Sequence, residues 1–297
     1  GLMDEFFEEK LLPMIQTNRG CPFKCTFCTE GSEYYQKVNK VSFERKKSEI
    51  NYIVDHLKYT RNLRITDSNF GMFPDDVEFC EYLGKVQDEK NFPEYVFCSA
   101  GKNQQERIMK CNDLLHGKMR LTASVQSLDE SVLKAIKRNN ISIDDLMALS
   151  DRTSDTETHS YSELIIPLPG TTLDIEKKNF ESLVETGISS VTQHQLALIY
   201  GTEIASPESR KKYKMQIRFR PIQRCIGIYP FGEKKSPSIE IEQICVGLKG
   251  FSYDDYIEAR RLYLTIGLFY NDRIFGEIHA LLRLFKFSTW DWLMKVY

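Results

Sequence analysis

The stretch LLPMIQTNRGCPFKCTFCTEG, residues 11–31, decides the fold. Its first seven residues, Leu11–Thr17, read as a short apolar strand. Directly behind them Cys21, Cys25 and Cys28 fall within eight residues. A strand that hands over to a ligand-bearing loop belongs to an α/β protein whose chemistry sits at the carboxyl ends of its strands.

Outward from this stretch the same alternation continues. Strand-like runs follow at Leu63–Asp67, Tyr95–Ser99, Arg120–Gln126, Tyr161–Ile166 and Ser190–Leu196. Amphipathic, helix-like runs lie between them at Phe43–Lys58, Pro74–Gln87, Gln104–Leu115, Glu130–Lys137 and Leu173–Glu185. Six strand–helix units in succession imply parallel strands with right-handed crossovers, either as an open doubly wound sheet or as a full or partial barrel. Polar residues at alternate strand positions (Thr122, Ser124 and Gln126; Thr192 and His194) favour the barrel, because a lumen that holds a ligand wants them on one face. The expected fold is therefore α/β: a partial (β/α)6 TIM-like barrel over residues 1–205, with a C-terminal α/β to helical extension over 206–297. In the extension, Met215–Pro221 and Ile239–Gly247 read as strands and the text from Tyr253 onward as helix.

Composition narrows the function classes. The 297 residues are 41% hydrophobic and 28% charged, as in a soluble globular protein. A net charge of −2 gives no reason to expect a nucleic-acid partner. No run of about 18 apolar residues predicts a membrane span. The eight cysteines do not form the dense framework of a small disulfide-stapled domain, which points to a reducing, cytoplasmic setting with thiols available for metal. The chain opens on Gly1 and ends at Tyr297 without a helix-capping signal, as a fragment of a longer protein would.

Three is the informative number in the cysteine loop. A structural zinc site takes four protein ligands, and no second CxxC pair occurs. A 4Fe–4S cluster is usually held by four cysteines. With three, one iron keeps an open position that an amine and a carboxylate together can chelate, as the methionine end of S-adenosylmethionine does. The alternative is a non-catalytic structural domain, binding zinc (completed by His56 or another residue) or an iron–sulfur cluster.

The CxxxCxxC spacing, with Phe27 before the third cysteine, closely resembles the signature of the radical S-adenosylmethionine superfamily. The resemblance spans most of residues 11–200. It implies that Cys21, Cys25 and Cys28 hold a 4Fe–4S cluster, and that S-adenosylmethionine is cleaved reductively to a 5′-deoxyadenosyl radical that abstracts hydrogen from a small-molecule substrate. An electron donor such as flavodoxin or ferredoxin is the implied partner. Phe27 would lie against the adenine. In TDSNFGMFPDD, residues 66–76, Asp67, Ser68 and Asn69 stand where a GGE-like segment receives the methionine amine. That departure from GGE, and the opening GLMDEFF, resemble members carrying a cobalamin-binding domain upstream. Cobalamin would then be bound by a domain absent from this chain, with methyl transfer to an unactivated carbon as the leading reaction.

The resemblance extends to later strands. Ser124 and Gln126 of SVQS match a ribose-contacting segment, and Arg138 the arginine that faces the methionine carboxylate. In ELIIPLPGTTLD, residues 163–174, Glu163 matches an acid that reaches the ribose, while Pro167 and Thr171 depart from the family's glycine and acid. Leu196 is the adenine contact. His194 is expected as a hydrogen-bonded core histidine. Cys80, Cys98, Cys111, Cys225 and Cys245 are expected as small buried hydrophobes, with Cys98 the one placed to face the cavity.

Overall fold

The computed structural model describes residues 1–8, 10–101, 103–122, 124–144, 146–147 and 160–297. Its strands are β1 (Met14–Ile15), β2 (Asn18–Arg19), β3 (Asn39–Lys40), β4 (Leu63–Ile65), β5 (Val96–Phe97), β6 (Tyr161–Ile166), β7 (Ser190–Gln195), β8 (Gln216–Phe231) and β9 (Lys234–Gly247). Its α-helices include α1 (Phe43–His56), α2 (Pro74–Lys90), α3 (Gln105–Leu114), α4 (Glu130–Ala135) and α5 (Leu173–Glu185). The remaining ones are α6 (Pro207–Lys212), α7 (Tyr253–Phe269), α8 (Gly276–Leu284) and α9 (Thr289–Val296).

The parallel strands follow one another in chain order. β1 pairs with β4 and β4 with β5, all parallel. Parallel bridges Val96–Met119, Thr122–Tyr161 and Gln126–Leu164 carry the series to β6, which pairs with β7 through six residues. The last neighbour is antiparallel: Ala197 bridges Ile244, Leu198 N–H donates to Gln243 O at 2.8 Å, and Cys245 N–H to Leu196 O at 2.9 Å. Beyond this β9, no described ladder returns to β1. The result is the expected partial barrel, open at one side and widened by the base of the β8–β9 hairpin.

The fourth unit departs from expectation. Arg120–Gln126 makes only isolated bridges at Thr122 and Gln126, and Ala123 within it lies outside the described residues. Side chains compete for the groups a regular ladder would use. Thr122 Oγ1 accepts from Ala100 N–H at 3.3 Å, and the Cys98 thiol reaches the Arg120 carbonyl at 3.6 Å. Gln126 sits at φ 65°, a left-handed conformation costly for a residue with a Cβ.

Helix boundaries follow local chemistry. Thr172 and Asp129 cap α5 and α4 with side-chain oxygens that accept from Ile175 N–H at 3.3 Å and Val132 N–H at 3.0 Å. One apolar cluster joins Leu63 and Ile65 of β4, Phe79 and Leu83 of α2, and Phe180 and Leu183 of α5. Leu262 and Ile266 of α7 and Leu293 of α9 lie in that same cluster. A second joins Ile166, Leu196, Leu198 and Ile204 to Ile244, Val246 and Phe251, with Phe27 packed against it. No described helix is long and apolar enough to cross a membrane.

Candidate active site

The cysteine loop leaves β2 through Gly20, which must be glycine because its φ is 114° and a Cβ there would stand 2.6 Å from Lys37 O. Backbone hydrogen bonds from distant units then fix it. Cys21 N–H donates to Tyr35 O at 2.8 Å, Thr26 N–H to Ile136 O at 3.1 Å, and Ile204 N–H to Thr26 O at 2.9 Å. The loop closes on itself with Cys28 N–H to Cys25 O at 3.2 Å and Gly31 N–H to Cys28 O at 3.0 Å. Cys21 and Cys25 are buried and Cys28 half-buried. None of the eight cysteines forms a disulfide.

A cavity of about 340 Å3 opens beside this loop at the carboxyl ends of the strands. Cys21, Phe27, Cys28, Ser68, Ser124, Gln126, Arg138 and Glu163 all line it. These expected residues come from four different strand–loop units, so the shared cavity is a product of the fold. Period two explains the β6 contribution: Tyr161 and Glu163 line the cavity, while the alternate Ser162 and Leu164 are buried.

Glu163 anchors the polar wall. Its carboxylate accepts from Ser124 Oγ at 2.5 Å and from His194 Nε2 at 3.3 Å. Burial acts to raise its pKa, but the bonds from His194 and Ser124, with the charges of His194 and Arg120, hold it below the usual glutamate value. His194 corrects the expectation of a core histidine: it is exposed, and its partner is this carboxylate. Arg138 is 5% exposed. It donates from Nε to Asn140 Oδ1 at 2.9 Å, bonds the Ser124 carbonyl, and contacts the Cys25 side chain.

The other expected residues lie beside the cavity. Asp67 is buried under the loop, accepting from Thr17 N–H at 2.7 Å, Asn18 Nδ2 at 2.6 Å and the Thr17 hydroxyl. Burial raises its pKa against those bonds. Asn69 is buried too, with Nδ2 3.3 Å from Cys21 Sγ. Leu196 is buried in the second cluster, the one against which Phe27 packs. Cys98 lies in the core and not on the cavity wall, and burial pushes its thiol up to about 12. Thr171 donates to the buried Glu176 at 2.8 Å.

Sequence reasoning passed over Tyr161, whose ring lies 4.3 Å from the Arg120 guanidinium and which the period shared with Glu163 could have revealed. It also passed over Asn140, which holds Arg138 and the Ser127 carbonyl and carries no local signal.

The donor set fits an iron–sulfur cluster with an organic ligand. Among the described residues no group of three His, Cys, Asp or Glu side chains is placed to hold a single metal ion. His56 is taken up elsewhere, its Nδ1 2.8 Å from Tyr52 O. The buried Gln126 Oε1, on the cavity wall, has no hydrogen-bond partner, as expected of a group that awaits a polar ligand.

Comparison with known proteins agrees. The model of the Radical SAM superfamily matches residues 15–192. The cobalamin-dependent radical SAM methyltransferase TokK of Streptomyces tokunonensis is 32% identical over 205 residues, 68% of this chain and 30% of that protein. The 2-(S-pantetheinyl)-carbapenam-3-carboxylate methyltransferase of Streptantibioticus cattleyicolor is 29% identical over the same shares. The match thus spans less than a third of the length of either curated relative. The solved radical S-adenosylmethionine methyltransferase TsrM of Kitasatospora setae shares the fold, with a TM-score of 0.54 at 14% identity, covering 67% of this chain and 39% of that one. With a three-cysteine loop on an open parallel barrel, and a family match over more than half its length, this chain belongs to the Radical SAM superfamily.

Proposed function

We propose that this chain is the S-adenosylmethionine-cleaving core of a cobalamin-dependent radical methyltransferase, with Cys21, Cys25 and Cys28 as the ligands of a 4Fe–4S cluster. The observation that carries the reading is the cavity that Cys21 and Cys28 share with Phe27, Ser124, Gln126, Arg138 and Glu163. When bound, the cluster and S-adenosylmethionine supply reductive cleavage of a carbon–sulfur bond and a carbon-centred radical.

The chain's own residues bind and orient. Glu163, held anionic by Ser124 and His194, accepts hydrogen bonds from ribose hydroxyls, and Gln126 adds its free amide oxygen. Arg138 gives the site a buried cation for the methionine carboxylate. Ser68, which lines the cavity at the end of the β4 unit, would receive the methionine amine, and Asp67 fixes the entry of the cysteine loop. Phe27, on the cavity wall, offers an apolar face for the adenine, backed by the buried cluster that holds Leu196. Residues 1–205 carry these groups, and 206–297 complete the wall behind β7.

The relatives' names support methyl transfer, and that of TokK supports cobalamin. A small molecule with an unactivated carbon is the substrate, and a flavodoxin or ferredoxin is the reductant. The eight cysteines, none of them in a disulfide, suit a reducing cytoplasm.

Anaerobic reconstitution tests the reading. About four irons per chain should bind, and reduction with S-adenosylmethionine should yield 5′-deoxyadenosine. Cys25→Ala should abolish both. One zinc per chain with no cleavage product would establish a structural domain instead.

A further inference from the structure

Asn69 makes a contact that binding of S-adenosylmethionine does not require. Its Nδ2 lies 3.3 Å from Cys21 Sγ, and the side chain is 1% exposed. The backbone around it is fixed: Phe70 N–H donates to Ser99 O at 2.9 Å, and Gly101 N–H to Phe70 O at 3.0 Å. Gly71 follows at φ 82°, with Ile108 against it. The orientation of the amide follows from chemistry. A thiolate only accepts, so the NH2 end must face it, and Oδ1 is correspondingly left without a donor. A buried amide held in this way is there for its donor.

We infer that Asn69 is a positioning residue that sets the reduction potential of the cluster, by donating an N–H···S hydrogen bond to Cys21. Hydrogen bonds to ligating sulfur stabilise the extra negative charge of a reduced cluster and so raise its potential. Asn69 acts through Cys21, and reaches the electron-transfer step without touching the substrate. The inference rests on the cluster assignment proposed above.

The test is an EPR-monitored potentiometric titration of the reconstituted chain, with iron content measured alongside. Asn69→Leu keeps the size and removes the donor. At a fixed potential its reduced-to-oxidised ratio should fall about tenfold, which is 59 mV for a one-electron couple. Asn69→Asp, which places a carboxylate at the sulfur, should fall further, and Asn69→His, which restores a donor, should recover part of the loss. Full iron with an unchanged midpoint in Asn69→Leu overturns the inference and leaves the cluster assignment standing. Should Asn69→Leu lose its iron, the unsubstituted protein carrying side-chain 15N-asparagine decides. Pulsed EPR of its reduced cluster should show coupling to an amide nitrogen, and absence of that coupling overturns the inference. An unsubstituted chain that takes up no cluster overturns both.

Discussion

Gly31→Ala is expected to loosen the cysteine loop without touching a cysteine. Gly31 ends the short turn Thr29–Gly31 that folds back over Cys25. A Cβ at this position would stand 2.2 Å from Cys25 O, 3.1 Å from Cys25 C and 3.2 Å from Cys25 N. All three are main-chain atoms of the ligand loop, so no side chain can swing aside. Restoring ordinary contact requires a displacement of about 1 Å, in a peptide whose oxygen also accepts from Cys28 N–H. Overpacking of this kind costs about 1–3 kcal/mol, or roughly 2–4 °C per kcal/mol in melting temperature for a chain of this size. Gly267→Ala is the matched control. It lies within α7 with nothing within 4 Å of its Cβ direction, and alanine there should stabilise by about 0.5–1 kcal/mol. Calorimetry of the apo proteins and iron content after reconstitution give the two readouts. If Gly31→Ala melts with the unsubstituted protein and keeps its full iron, the close approach at Cys25 does not shape the site.

Glu176 gives a pH signature. Burial raises its pKa from the ordinary 4.5 to about 7, against a bond from Thr171. The folded chain holds this proton more tightly than the unfolded one. Its contribution to stability is therefore full below pH 4.5 and is lost as pH rises towards 7, by about 3 kcal/mol. Glu176→Gln should flatten urea-unfolding stability across that window, and a slope unchanged from the unsubstituted protein would count against the burial argument. Gln126→Ala should keep the iron while raising the dissociation constant for S-adenosylmethionine by about tenfold, the worth of about 1.4 kcal/mol of hydrogen bonding; calorimetric titration showing equal affinity would remove Gln126 from the site. A chain cut after residue 205 should fail to fold. It loses Ile244, Val246, Phe251, Leu262, Ile266 and Leu293, all buried, at about 1.5–3 kcal/mol each, against a typical total stability of about 5–15 kcal/mol. A cooperative unfolding transition in that fragment would contradict this.

The alternation of periods made the barrel legible, because each β/α unit buries one apolar helix stripe against one strand. Leu173–Glu185 is a helix with those bounds, since Thr172 caps it and Phe180, Leu183 and Val184 share its inner face. Placement on the cavity wall was legible where it follows a strand's own period, as for Glu163 beside Tyr161, and Ser124 and Gln126 line the same wall at alternate positions. The fourth strand was not legible as it stands, because Thr122 Oγ1 takes an amide of the neighbouring segment, a contact no local pattern encodes. His194 fails for a related reason. Its type and strand suggest a core, while its partner Glu163 lies 31 residues away and draws it to the open side.

Long-range contacts also explain why the extension matters to a loop near the other end of the chain. Thr26, between two of the cysteines, is gripped from both sides: its N–H by Ile136 at the end of the fourth unit, its carbonyl by Ile204 after the sixth. Ile204 is held in turn by the second cluster, which Ile244, Val246 and Phe251 of the extension complete. Leu198 reaches the same place through Gln243, and Gln243 lines another cavity, of about 900 Å3, that Cys25 and Cys28 also line. A loop of eight residues cannot by its own propensities hold three thiolates in register, since fixing each residue costs about 1–2 kcal/mol of backbone entropy. The ordering must come from elements that are rigid for other reasons, and here those elements are β7 and the base of the hairpin. The three cysteines are written within one short stretch of sequence, but their arrangement in space is held in part by residues more than a hundred positions further along the chain.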